Sequence, residues 1–138
     1  MVSIIKLTNF RVMLFLAFLV IILIVLACYK CLNVSIHSDE VRISYENTEN
    51  VIIQEVKDKN DILEIKKILS KVKHWDNPSC GFKDNNYICF GDLYFYPACD
   101  GCPRLQVGDS NWYINISDKE KARLHKILKK YGMIFPCL

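Results

Sequence analysis

The chain has 138 residues, of which 51% are hydrophobic, and its 18 Lys and Arg residues exceed its 15 Asp and Glu residues. This length suffices for one compact domain with its own core and makes a second domain unexpected. Lys6, Arg11 and Lys30 carry the whole basic excess, so the charges balance from Leu32 onwards. A balanced domain does not concentrate polyanions, so nucleic acid is not a predicted partner.

The first predicted element is a membrane segment, because the run from Val12 to Cys28 contains no charge, proline, glycine or amide. As a helix, the segment Val12–Tyr29 reaches ~27 Å, close to the ~30 Å hydrocarbon thickness of a bilayer. Two basic residues precede the segment, whereas only Lys30 follows it closely. The positive-inside rule therefore predicts a single-pass protein of the cell membrane, with its N-terminus in the cytoplasm and its C-terminal domain outside.

A second interpretation of residues 1–31 is a lipoprotein-type signal, because Val25-Leu26-Ala27-Cys28 resembles a bacterial lipobox. Cleavage there would leave Cys28 as the lipidated first residue of the mature protein. Simple secretion after cleavage is a third interpretation. The uncleaved anchor is favoured, because the apolar run is long for a signal and Tyr29 is bulky for a lipobox flank.

Residues 32–40 are predicted to form a polar stalk, and residues 41–138 an extracytoplasmic domain. Apolar residues alternate with polar ones in Val41–Glu46, which indicates a half-buried strand, and Val51–Val56 completes a hairpin. Asp58 or Asn60 then caps a helix. Its apolar positions repeat at helical spacing and are Ile62, Ile65, Ile68, Leu69 and Val72.

Irregular structure and two more hairpins are predicted next. The segment from His74 to Asn86 is rich in turn-forming residues and predicts a surface loop, in which Trp75 turns inward to cover the core edge. Four strands follow, at Tyr87–Phe90, Leu93–Tyr96, Arg104–Val107 and Trp112–Ile116.

Ser117 and Glu120 have the spacing of a capping box, which begins a last helix that Gly132 ends. Its predicted inward positions are Ala122, Leu124, Ile127 and Leu128. The predicted fold class is therefore α+β: an N-terminal transmembrane helix and then a small domain with a mostly antiparallel sheet and two helices, in the order β-β-α-β-β-β-β-α.

The cysteines are the main candidates for a functional or structural site. Outside the cytoplasm, thiols close in space tend to become disulfides, so this domain is predicted to be disulfide-stabilised. The disulfide or metal candidates are Cys31, Cys80, Cys89, Cys99, Cys102 and Cys137. Sequence spacing cannot choose among their pairings.

Cys99-Asp100-Gly101-Cys102 is the sharpest motif, because two thiols at this spacing suit a redox couple or half of a zinc site. Pro97 and Pro103 place the motif in a loop rather than at a helix start, which favours structural use. For zinc, Cys80 and Cys137 would have to complete the ligand set, and they are not a second close pair.

No enzyme is predicted, since the sequence contains no recognised catalytic motif and no cofactor signature. Asp residues near turns are expected to cap backbone groups. A group of aromatic residues suits either a ligand-facing surface or the core, and strand alternation predicts that about half of it is buried. Its members are Trp75, Tyr87, Phe90, Tyr94, Phe95, Tyr96 and Trp112.

Three segments carry a resemblance: Tyr96 to Cys102, Ile116 to Glu120 and Tyr131 to Cys137. With the Ile-, Lys- and Asn-rich composition, they resemble short membrane-tethered extracytoplasmic proteins of low-GC Gram-positive bacteria. The resemblance implies location and architecture, and it implies no activity, cofactor or site residue.

The sequence therefore favours a membrane-anchored extracytoplasmic binding or interaction domain, stabilised by cysteines. Its expected partners are the membrane and a protein at the cell surface. The alternative is a thiol-redox or zinc-binding protein that uses Cys99 and Cys102.

Overall fold

A computed structural model describes residues 2–47 and 50–134, without the side chains of residues 2–11, 30 and 31. The chain divides into two compact units, Met1–Asn33 and Val34–Leu138. The predicted α+β class is confirmed, with one N-terminal helix ahead of a domain that contains an antiparallel sheet and two helices.

The N-terminal unit is a single helix, α1 (Val2–Leu32). Its segment Val12–Tyr29 has a mean hydropathy of 3.2, and none of that segment is buried. By length and composition α1 is able to cross a membrane, and a signal sequence near an N-terminus meets the same criterion.

The second unit contains one seven-stranded sheet with the strand order β2-β1-β4-β5-β6-β7-β3, and every neighbouring pair is antiparallel. The strands are β1 (Val41–Glu46), β2 (Val51–Val56), β3 (His74–Trp75), β4 (Tyr87–Phe90), β5 (Leu93–Pro97), β6 (Arg104–Val107) and β7 (Trp112–Asn115). The helices are α2 (Lys59–Leu69), between β2 and β3, and α3 (Asp118–Lys130), after β7.

One face of the sheet forms the core with the two helices. Directly opposed residues of antiparallel strands share a face, so Ile43, Ile88 and Phe95 make one buried row across β1, β4 and β5. Buried side chains of α2 and α3 belong to the same apolar cluster, namely Ile65, Ile68, Leu69, Leu124, Ile127 and Leu128. Removal of this apolar surface from water is the main stabilising term of the domain.

Both helices begin at side-chain caps. The Asp58 carboxylate accepts the Asn60 N–H at 2.8 Å, and Ser117 and Glu120 form the predicted capping box. The helices are also joined by a buried charge, because the Asp61 carboxylate of α2 accepts hydrogen bonds from Lys130 Nζ at 2.8 Å and Tyr131 Oη at 3.0 Å. A buried carboxylate requires such partners.

Two predictions were wrong, one on where the folded domain begins and one on where α2 ends. In the expected stalk of residues 32–40, Val34 is buried and donates its N–H to Lys71 O at 3.0 Å, so the folded unit begins at Val34. In the expected run of α2, the helix ends at Leu69 and Val72 is 48% exposed.

The surface loop predicted to begin at His74 begins after Trp75 instead. His74 and Trp75 form β3, which pairs with β7 at the sheet edge, and the Trp75 side chain is 64% exposed. The Trp75 ring meets the Trp112 ring edge-on, with the centroids 5.6 Å apart, instead of entering the core. Ala122 in α3 is likewise exposed, contrary to its predicted inward position.

The end of α3 generates a stability prediction. Gly132 has a φ of +85°, and a Cβ there would lie 2.3 Å from Tyr45 Oη. Gly108 has a φ of +63° and nothing within 4 Å of such a Cβ. Gly108→Ala therefore costs only the backbone strain, about 1 kcal/mol, whereas Gly132→Ala adds a steric clash and costs roughly 2–4 kcal/mol.

Urea denaturation of the two variants measures this difference. Equal losses in the free energy of unfolding would show that Tyr45 moves aside without cost.

Candidate functional site: the second face of the sheet and its cysteines

The face of the sheet opposite the helices, here the second face, is polar and aromatic. Strand register places on it a row across β5, β6, β7 and β3 and a second row across β1, β4 and β5. The first row is Tyr96, Gln106, Tyr113 and His74, and the second is Arg42, Cys89 and Tyr94. Cys89 and Tyr113 are buried nonetheless, so this face is covered.

Residues 76–86, here the covering loop, lie against the second face. Ser44 Oγ donates to Asn85 O at 2.9 Å, and the Glu46 N–H donates to Asn86 Oδ1 at 2.8 Å. The Phe82 ring packs against Tyr113, with the ring centroids 5.5 Å apart. The loop therefore supplies hydrogen bonds as well as apolar cover to the face of the sheet opposite the helices.

The beginning of the covering loop is attached by a charged pair. Arg104 Nη1 on β6 donates to Asp76 Oδ2 at 2.6 Å, and the Asp76 N–H donates to Asn111 O at 3.2 Å. The pKa of the Asp76 carboxyl is lowered, first by the Asn77 N–H that it accepts and then by Arg104.

The middle of the covering loop meets the Cys99–Cys102 segment between β5 and β6. The Cys99 N–H donates to Gly81 O at 2.7 Å. Gly81 directly follows Cys80, so this hydrogen bond holds Cys80 near the Cys99–Cys102 segment. Sulfur and oxygen atoms of Cys80, Asp100 and Cys102 all lie within 4.8 Å of one another. In the structure Cys80 and Cys102 are both free thiols, so the disulfide predicted from sequence is not formed between them.

Electrostatics in this cluster disfavour the thiolate. A hydrogen bond with Cys80 and then one with Asp100 raise the pKa of Cys102 to about 12. The Asp100 carboxylate accepts the Cys102 N–H at 3.1 Å, and that contact lowers the pKa of Asp100. Because the thiolate is the nucleophile in thiol chemistry, Cys102 is poorly suited to attack a substrate at neutral pH.

Cys99, the partner of Cys102 in the sequence motif, has a different neighbour in the structure. Cys99 Sγ lies 4.0 Å from Asn86 Nδ2, which donates to it, and Cys89 is 1% exposed within β4. Cys28 is exposed on α1. The Cys31 side chain and Cys137 lie outside the described residues, so their predicted roles stay predictions.

Zinc, the cofactor of the alternative hypothesis, has an incomplete ligand set in the described part of the domain. Thiolates and carboxylates both bind zinc, but a structural zinc site takes four protein ligands. The group of Cys80, Asp100 and Cys102 supplies three, and Asp100 is exposed. Among the described residues, this group therefore does not complete a closed structural zinc site.

Three tyrosines form a cluster on the second face, here the tyrosine cluster: Tyr87, Tyr94 and Tyr96. The Tyr87 and Tyr94 rings meet edge-on at 5.2 Å, and the Tyr94 and Tyr96 rings are nearly parallel at 6.4 Å. All three are half-buried, whereas Phe90 and Phe95 of the same strands are in the core. Strand alternation separates these residues as expected, but only Phe90 and Phe95 of the seven aromatic residues are buried, fewer than the predicted half.

A charged side chain borders this cluster. Tyr96 Oη donates to Asp109 Oδ1 at 3.2 Å. Burial and then Asp109 raise the pKa of Tyr96 to about 12, so the phenol stays a neutral donor at physiological pH. Aromatic rings with polar tips are typical of protein interaction surfaces.

Comparison with protein families, with curated proteins and with solved structures finds no significant match to this chain. The resemblance to membrane-tethered proteins of Gram-positive bacteria stays a prediction.

Asn86 generates the prediction for this site. Its buried side chain joins the Glu46 N–H to Cys99, whereas the neighbouring Asn85 is exposed and contributes only its main-chain carbonyl. Asn86→Ala leaves the part-buried Glu46 N–H without its acceptor and is expected to lower the free energy of unfolding by about 1–3 kcal/mol, whereas Asn85→Ala changes it little.

Thermal and urea denaturation of both variants provide the measurement. If Asn85→Ala proves as costly as Asn86→Ala, the amide of Asn86 does not hold the covering loop.

Proposed function

We propose that this chain is a single-pass membrane protein whose C-terminal domain binds a protein partner outside the cell membrane. The observation that carries the proposal is the exposed apolar segment Val12–Tyr29 ahead of a domain with its own core. Exposed apolar surface of this extent requires a lipid or protein environment.

The charges that flank the apolar segment of α1 support the orientation. Lys6 and Arg11 precede the apolar segment, and Lys30 alone follows it closely before Asp39 and Glu40. Basic residues are retained on the cytoplasmic side, so the N-terminus stays inside and the domain is exported.

The tyrosine cluster is the binding surface that the geometry supports best. Its rings are packed against one another and half-buried, so little side-chain entropy is lost when a partner covers them. Tyr96 and Asp109 add a polar border, which resembles the arrangement of aromatic centre and polar rim in protein interfaces.

Thiol-redox or metal chemistry is the second candidate function. The observation that favours it is the approach of Cys80, Asp100 and Cys102, so its centre moves from Cys99 and Cys102 to Cys80 and Cys102. The raised pKa of Cys102 weighs against thiol chemistry, and within residues 50–134 the cluster supplies only three zinc ligands.

Protease treatment of intact cells tests membrane location and orientation. In the full chain with a C-terminal epitope, the epitope is expected in the carbonate-resistant membrane fraction and is removed by external protease. Leu19→Arg with Ile22→Arg places charges at the centre of the apolar segment, at roughly 2.5–3.5 kcal/mol each, and is expected to release the protein from this fraction.

Leu19→Ile with Ile22→Leu is the matched control and retains anchoring. An epitope that is degraded only after lysis would refute the orientation. The mass of the mature N-terminus separates the two anchors: residue 1 or 2 is retained in a spanning helix, and a lipidated Cys28 begins a lipoprotein.

Photo-crosslinking tests the interaction. A photoreactive residue at Tyr94 is expected to capture a discrete membrane or surface protein in living cells, because Tyr94 lies within the tyrosine cluster. The same residue at Leu63, an exposed position on α2 facing away from the sheet core, serves as the control. Identical products from both positions, or none from Tyr94, would contradict a partner at this cluster.

A further inference from the structure

Cys80 and Cys102 lie on two segments that the backbone already holds together. The hydrogen bond from the Cys99 N–H to Gly81 O, 2.7 Å long, joins the covering loop to the segment between β5 and β6. The Asp100 carboxylate accepts the Cys102 N–H at 3.1 Å and so turns the segment towards Cys80. The two Sγ atoms lie within 4.8 Å of each other.

We infer that Cys80 and Cys102 form a structural disulfide in the exported protein, which fastens the covering loop across the second face of the sheet. This inference rests on the proposed function, which places the domain outside the cytoplasm, where disulfides form. The chemistry is a thiol–disulfide exchange, in which an oxidised dithiol protein or glutathione disulfide accepts two electrons, the two cysteine protons are released or transferred, and one S–S bond forms between Cys80 and Cys102.

Cys80 is a better partner for Cys102 than Cys99 is. Cys99 Sγ already accepts the Asn86 amide, and that amide also holds β1. A disulfide between Cys99 and Cys102 would close a very short loop, whereas a disulfide between Cys80 and Cys102 closes a loop that contains β4 and β5. A longer loop loses more conformational freedom in the unfolded chain when it is closed, so the Cys80 link stabilises the domain more.

Peptide mapping of the full chain tests the pairing. Thiols are alkylated in intact cells and the protein is purified from membranes without reductant. Trypsin and a protease that cleaves before aspartate then place Cys80, Cys89, Cys99 and Cys102 in separate peptides, because Lys83, Asp84, Asp92 and Asp100 lie between them. The expected product is the Cys80 peptide linked to the Cys102 peptide, with Cys99 alkylated.

Variants provide the matched control. Cys102→Ser is expected to leave Cys80 open to alkylation, whereas Cys99→Ser retains the link. Reductant is expected to lower the midpoint of thermal unfolding by roughly 10 °C in the wild type and in Cys99→Ser. It has no such effect in the double variant Cys80→Ser with Cys102→Ser.

Incubation of the purified, reduced protein in glutathione buffers makes the test independent of location. At a glutathione redox potential matching that of an oxidising compartment, the Cys80–Cys102 disulfide is expected to form before any other disulfide. Free Cys80 and Cys102 under these conditions, a Cys99–Cys102 link, or zinc bound in equal amount and lost in Cys102→Ser would each overturn the inference. Protease access to the C-terminal epitope reports orientation separately, so failure of the disulfide does not count against export.

Discussion

The constraint on which this fold depends is that the sheet carries buried side chains on both faces, an aliphatic core on one and Ser44, Cys89 and Tyr113 on the other. The two helices cover one face with aliphatic side chains, and their apolar cluster includes the row of Ile43, Ile88 and Phe95. The covering loop lies on the other face and is fastened by side-chain and main-chain hydrogen bonds. Polar groups in an irregular loop need such partners when they are buried, and this need explains why Asn and Asp residues are frequent there.

This arrangement separates the structural and the accessible parts of the second face. Ser44 and Tyr113, which contact the covering loop, are buried. The tyrosine cluster is half-buried beside them. Fixed neighbours hold its rings, so this surface is the natural place for the binding role proposed for the domain.

Local patterns in the sequence predict the regular elements well. Alternation places β1 at its observed bounds, the hairpin that it begins places β2, and the Ser117 and Glu120 spacing identifies the start of α3. Each signal acts within a few residues, where steric and capping preferences are strong. Alternation also explains why Phe95 enters the core while Tyr94 and Tyr96 lie on the second face, because successive strand residues point to opposite faces.

Long-range features escaped prediction. The two residues of β3 are too few to show alternation, and Trp75 is held at the edge by its pairing with Trp112 rather than by its own hydrophobicity. The approach of Cys80 to Cys102 depends on how the covering loop crosses the sheet, and the spacing of Cys99 and Cys102 within one short motif carries no information on that path. Sequence alone places Val34 in a polar stalk, because the carbonyl that accepts its N–H belongs to Lys71, which follows α2 and is distant in the chain.

The strand order has a consequence for how the domain folds. β1 pairs with β2, its neighbour in sequence, but also with β4, so that Val41 lies opposite Phe90. The β1–β2 hairpin and the β4–β7 meander are local and form readily, whereas joining them must close a loop that contains all of α2 and the covering loop. If the covering loop becomes ordered early, closing this long loop costs less conformational entropy. The contacts that hold the covering loop on the second face therefore also affect the folding rate.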